Sequence, residues 1–214
     1  MNVADFITRV RFDYNDLDSD RVEDVIIIDY LNEGITELYR LNPSKFVKSV
    51  VVKLADSDLQ VPCCCDLLKS VDAITDGHGN KIAEIKEVDD SASMAFNKPQ
   101  CKRKDSNSRS YSKVDGTDNQ FTVKPPVSPD EEVYARLTCA VKPKSLKADS
   151  VLSSEIVENY ASLVDYVLYR LFGAETESVT SQQRSATHYK LFTDGVLLKE
   201  KVRNAFINTP SKKS

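Results

Sequence analysis

Residues 155–206 carry apolar side chains at helical spacing over two consecutive segments, EIVENYASLVDYVLYRLFG and SQQRSATHYKLFTDGVLLKEKVRNAF. In the first, Ile156, Tyr160, Leu163, Val164, Val167, Leu168 and Leu171 recur at steps of three and four, which aligns them on one stripe of a helix that must bury against another surface. The second continues with Ala186, Tyr189, Phe192 and Val196, then Leu198, Val202 and Phe206. The pair predicts a helical hairpin whose second arm outlasts the first, so that Val196, Leu198, Val202 and Phe206 need cover from outside it. Ser153 or Ser154 can cap the first arm and Gly173 can end it. Thr180 with Gln183 has capping-box spacing for the second arm, and Asp194-Gly195 is where that arm can kink or stop.

The other end of the chain is also helical in pattern. Val3, Phe6, Ile7 and Val10 mark a short amphipathic helix ending near Phe12, and DYNDLDSD follows as a polar loop. Asp20 and Glu23 have capping-box spacing before a second helix that runs to Asn42 and Pro43. Its expected buried set is Val22, Val25, Ile28, Leu31, Ile35, Leu38 and Tyr39. Gly34 within it costs about 1 kcal/mol relative to alanine, so either another helix packs closely there or the helix bends locally, and close packing is the preferred reading.

Between the helical ends the period changes to two. FVKSVVVKL (46–54) reads as a strand and LQVP as its short partner across DSD. LLKSVDAI and NKIAEIKEV flank the turn TDGHGN, whose Asp76-Gly77 and Gly79-Asn80 pairs suit positive φ. DDSASMAFNKP (89–99) reads as a helical turn, and 101–116 as a basic, serine-rich loop in which Lys102, Arg103, Lys104 and Arg109 can meet phosphate. NQFTVKPP and EEVYARLTCAV form a strand pair joined by VSPD, with Val133, Ala135, Leu137 and Cys139 on the buried face.

The chain has 214 residues, 41% hydrophobic and 29% charged, with a net charge of -4, and contains no apolar run long enough for a membrane span or a signal peptide. That charge argues against a phosphate-gripping surface. No nucleophile elbow, phosphate loop, zinc helix or dinucleotide fingerprint is present, so neither catalysis nor a cofactor is expected. Asp16, Asp18 and Asp20 lack the glycine and terminal glutamate of a calcium loop and read as solvated. Cys63, Cys64 and Cys65 are adjacent and cannot present three thiolates to one metal, so with Cys101 and Cys139 they read as reduced thiols rather than as a zinc site with His78. His78 reads as an exposed turn residue, distant from His188. Asp165 is the one acid inside a buried-looking helix, with Arg170 or a tyrosine as its expected partner.

These patterns predict an α+β fold: a four-helix bundle built from residues 1–44 and 150–208, an antiparallel β-rich insertion at 45–149, and a flexible tail at 209–214.

Several stretches also carry a family resemblance. The run VDYVLYRLFG at 164–173 followed by RSATHYKLF, the opening ITRVR, the segment DYLNEGITELYRLNP and the pair QFTVKPPVSPDEEVYARLTCAVKP occur in an order that resembles the head-to-tail adaptor proteins of short-tailed bacteriophages, also called tail tubular proteins. The resemblance implies a structural virion protein, made in the host cytoplasm. Copies would form a ring, expected to be a dodecamer, between the portal protein and the tail nozzle or other tail proteins. DNA would pass nearby without specific binding, no membrane would be involved, and the C-terminal arm would seat on the portal or on a neighbouring subunit. The competing reading is a nucleic-acid-binding protein that uses loop 101–116.

Overall fold

A computed structural model of the chain describes residues 1–88, 109–175 and 178–207, with side chains described to residue 198. The chain divides into two compact units, Met1–Lys45 with Pro143–Ser214, and Phe46–Lys142. A four-helix bundle with a small antiparallel insertion is not what it forms. The described residues make five α-helices and a curled, mixed sheet of seven strands, with 42% helix and 24% strand, so the β part is a full layer rather than an excursion.

In the helical unit, α1 (Val3–Tyr14) begins at a reciprocal cap. The Asp5 amide donates to Asn2 Oδ1 at 2.8 Å and the Asn2 amide to Asp5 Oδ2 at 3.0 Å. It ends at Asn15 in the left-handed region, φ 59°. The loop after it is clamped. Asp16 is buried, pairs with Arg11 at 2.8 Å and accepts the amides of Arg21 and Val22, so it is not the solvated acid its setting suggested. Helix α2 (Asp24–Leu41) starts at Glu23 with no side-chain cap, and the expected Asp20–Glu23 box does not form. It buries Ile27, Leu31, Gly34, Ile35 and Leu38, while Val25 is exposed. Four consecutive β-branched residues, Val25 to Ile28, leave the helical phase undetermined in sequence, and packing selects Ile27.

The expected first arm of the hairpin is split into α3 (Ser154–Glu158) and α4 (Tyr160–Ala174). The break is at Asn159, whose side chain donates to the Glu155 carbonyl at 2.7 Å and accepts from Lys45 Nζ at 2.6 Å. Gly173 does not end α4, which continues to Ala174. Helix α5 (Val179–Ile207) is continuous through Asp194-Gly195, and Ser178, not Thr180, meets its first turn by accepting the Ser181 amide.

The sheet unit contains β1 (Val47–Lys53), β2 (Leu59–Gln60), β3 (Leu67–Thr75), β4 (Lys81–Glu87), β5 (Arg109–Lys113), β6 (Phe121–Lys124) and β7 (Tyr134–Ala140) in the order β1-β7-β3-β4-β5-β6-β2. The β3–β4 hairpin forms as expected, with Gly79 at φ +86° and Asp76 accepting the amides of His78 and Asn80. Three expectations fail. β2 pairs with β6 rather than β1, β6 and β7 are not neighbours, and β4 runs parallel to β5, so the sheet is mixed. All three concern partners distant in sequence, which a local alternation pattern does not specify. Register shifts in β3 at Leu68/Ser70, Val71/Ala73 and Ile74/Thr75 increase its twist and account for the curl. Leu68, Val71, Tyr111, Phe121, Leu137 and Cys139 lie in the core on one face.

Candidate functional site

The helical hairpin has a register that can be read from its contacts. Gly173 lies against Ser185, Tyr169 against Tyr189 with ring centroids 4.9 Å apart, Tyr166 against Phe192 at 5.0 Å, and Ser162 against Gly195. In each of these pairs the two residue numbers sum to 357 or 358, as antiparallel helices require. Small residues set the closeness: a Cβ on Gly195 would stand 2.5 Å from Ser162 Oγ, and one on Gly173 would stand 3.2 Å from Ser185 Oγ. That explains why Asp194-Gly195 does not interrupt α5. Ser185 Oγ also donates to the Tyr169 carbonyl at 2.9 Å.

Carried to the start of α4 at Tyr160, the register ends opposite residue 198, whereas the helical backbone of α5 runs on to Ile207. Nine residues of helix, about 13 Å at 1.5 Å per residue, therefore have no residue of α4 opposite them. Val196 is fully buried within its own unit and anchors the arm there. Leu198 is 63% exposed, beside Leu197 at 43%, and Leu191 is exposed one heptad earlier. The side chains of Val202 and Phe206 lie outside the described residues.

Asp165 is partnered by His188, not by Arg170: its Oδ1 lies 2.8 Å from His188 Nδ1, and the imidazole stacks on Phe172. Arg170 pairs with Glu33 and lies over the Tyr30 ring. A cleft of about 210 Å³ beside it is lined by Tyr30, Tyr169, Arg170, Gly173 and Ala174, which include no acid and no histidine. The two numbers of the Asp165–His188 pair sum to 353, so Asp165 reaches His188 about one helical turn off the register of the other pairs, and spacing along the sequence carries no signal for the contact.

At the closed end of the hairpin, Glu175 accepts from Tyr14 Oη at 2.6 Å and from Ser181 Oγ at 2.5 Å and pairs with Arg21. The bonds from Ser181 and Tyr14 hold its carboxyl below the usual range. Burial and the Glu175 bond push Tyr14 up to about 12. This cluster ties α1, the loop before α2 and the two hairpin arms together.

The other expected sites divide. In the basic segment, residues 109–113 are β5, and Arg109 is buried, donating to the carbonyls of Pro125 and Pro126 and pairing with Glu131 at 2.6 Å. Its guanidinium is thus unavailable to phosphate. Lys102, Arg103 and Lys104, like Cys101 and the expected turn at 89–99, lie outside the described residues. Cys63 and Cys64 are exposed, while Cys65 and Cys139 are buried together in the sheet unit, with burial raising both thiols above their ordinary values. Among the described residues no group of His, Cys, Asp or Glu is placed to hold a metal ion, and no helix is long and apolar enough to cross a membrane.

The class of protein, a structural adaptor of a phage particle, comes from the comparison with known families. Residues 1–209 match the model of the SU10 adaptor protein family, and the chain belongs to that family. No individual curated protein sequence matches it.

Proposed function

We propose that this chain is a head-to-tail adaptor, several copies of which form a ring between the portal protein and the tail nozzle of a short-tailed phage. Twelve copies would match the portal symmetry. The ring surrounds the path of the genome without gripping it, consistent with the net charge of -4. The C-terminal arm makes the attachment, with Leu198, Val202 and Phe206 meeting the portal or an adjacent subunit, while Val196 holds the arm's root to its own unit. The observation that carries this reading is the hairpin register, which ends at residue 198 while α5 continues to Ile207.

A chain ending at Leu198 tests it. It keeps every described buried side chain, so it is expected to fold with unchanged circular dichroism and to fail to co-sediment with purified portal rings. Portal binding equal to that of the full chain would overturn the assignment of the arm.

A further inference from the structure

The seven-stranded sheet has two edges, and the chain treats them differently. At β2 the outward backbone of Leu59 is occupied by side chains: its amide donates to Ser57 Oγ at 3.0 Å and Asp58 Oδ1 at 2.8 Å, and its carbonyl accepts from Ser57 Oγ at 3.1 Å. That edge is two residues long and closed to pairing. Among the described residues the β1 edge is seven residues long and open.

Which groups of β1 are open follows from its ladder. Val47 faces Ala140 and Lys53 faces Tyr134, and the bonds from Val141 N to Phe46 O (3.1 Å) and from Leu54 N to Val133 O (2.9 Å) fix the alternation. Even-numbered residues from Phe46 to Leu54 direct their amide and carbonyl to β7. Val47, Ser49, Val51 and Lys53 direct theirs outward, and no described residue bonds to them. The strand VKSVVVK has no proline and no bulge, and Val51 is 41% exposed.

We propose that the open edge of β1 pairs with the same edge of a second copy of this chain, antiparallel about a two-fold axis through Val50. In that register Val47 meets Lys53 of the second copy and Ser49 meets Val51 of the second copy, so every outward amide and carbonyl finds a partner. Lys48 falls opposite Val52, and no lysine faces a lysine. A shift of two residues either way leaves one end of the strand unpaired, and a shift of one sets outward groups against inward ones. The strand is therefore complementary to itself, and the closed β2 edge excludes the head-to-tail alternative. Because the contact is isologous it closes at two copies. It belongs to the chain before incorporation and stands or falls separately from the ring proposed above.

Proline at position 51 deletes an outward amide and leaves the β7 ladder intact, a substitution that edge strands tolerate. Sedimentation of the full chain over a range of concentrations is expected to give a dimer that Val51→Pro and Ser49→Pro convert to monomer. Wild-type amide exchange gives a readout independent of how the variants fold. On concentrating the protein, Ser49 and Val51 are expected to slow by roughly tenfold or more, while Val50 and Val52, protected by β7 throughout, do not change. A wild-type chain monomeric at every concentration, a dimer surviving both proline variants, or Ser49 and Val51 amides that ignore concentration would each overturn the proposal.

Discussion

The ring of Tyr166 lies over Gly34, so that a methyl group on Gly34 would stand 2.8 Å from Tyr166 Cδ1 and 3.3 Å from Leu163 Cδ2. The ring cannot swing away, because Phe192 and Tyr169 meet it edge-on at 5.0 and 5.6 Å. Gly34→Ala gains about 1 kcal/mol of helix propensity, against a typical overpacking cost of about 1–3 kcal/mol. With a ring this confined, the net expectation is a loss of about 1–2 kcal/mol, read as an earlier midpoint in urea. Gly195→Ala makes the contrast: the nearest obstacle is the Ser162 hydroxyl, which can rotate, and its Cβ is 3.6 Å away. That variant is expected to lie within about 1 kcal/mol of the parent.

How much of this was legible in the sequence depends on how far apart the partners lie. The hairpin, its unequal arms, the close approach at Gly34 and the Asp76–Asn80 turn all follow from spacing within a few turns of helix or one tight turn. The parallel β4–β5 pair, the β1–β7 pair and the burial of Arg109 join residues whose local patterns are compatible with other partners. Asp16 shows the same limit: in sequence it is one acid among several, and only Arg11, one helical turn and a loop earlier, makes it a buried ion. At Asn159 the break in the helix comes from a side chain competing with the backbone, which an apolar stripe running through the site conceals.

Glu175 gives the helical unit a pH dependence of known sign. Its carboxyl is held low by Ser181 first and Tyr14 next. The stability it contributes is therefore present above the unfolded value of about 4.3 and lost as pH falls through the folded value. On the alkaline side Tyr14, raised from 10.0 to about 12, contributes stability below its unfolded value that is lost as pH rises through the folded one. Glu175→Gln is expected to flatten the acid limb and to cost about 1–2 kcal/mol at neutral pH from weakened charge-assisted bonds. Denaturant titrations of both proteins between pH 3 and 7, read at about half-unit steps, measure it.

Thr75 is 1% exposed and its Oγ1 has no partner among the described residues. A buried hydroxyl without a hydrogen bond costs about 1–3 kcal/mol. Thr75→Val replaces it with a methyl group of similar shape, so the sheet unit is expected to gain about 1 kcal/mol, the low end of that range. A later urea midpoint with an unchanged slope would register the gain, and a loss would mean the hydroxyl is bonded in solution.

Arg109 separates the adaptor from the nucleic-acid-binding reading. Its side chain is 6% exposed and joins β5 to Glu131 and to the carbonyls of Pro125 and Pro126. Truncation leaves those acceptors without their donor, and since Glu131 is half exposed and can be rehydrated, Arg109→Ala is expected to cost about 2 kcal/mol, below the range for fully buried pairs. A phosphate-binding arginine behaves otherwise: its loss weakens DNA affinity and lowers the salt slope by about 1. With a chain carrying 33 acidic against 29 basic residues, the expected outcome is weak duplex binding that is the same for Arg109→Ala and the parent, alongside a clear stability loss. Tight, steeply salt-dependent binding that falls with Arg109→Ala would favour the nucleic-acid reading instead, because a guanidinium held inside the sheet unit cannot reach phosphate without unfolding the strand that carries it.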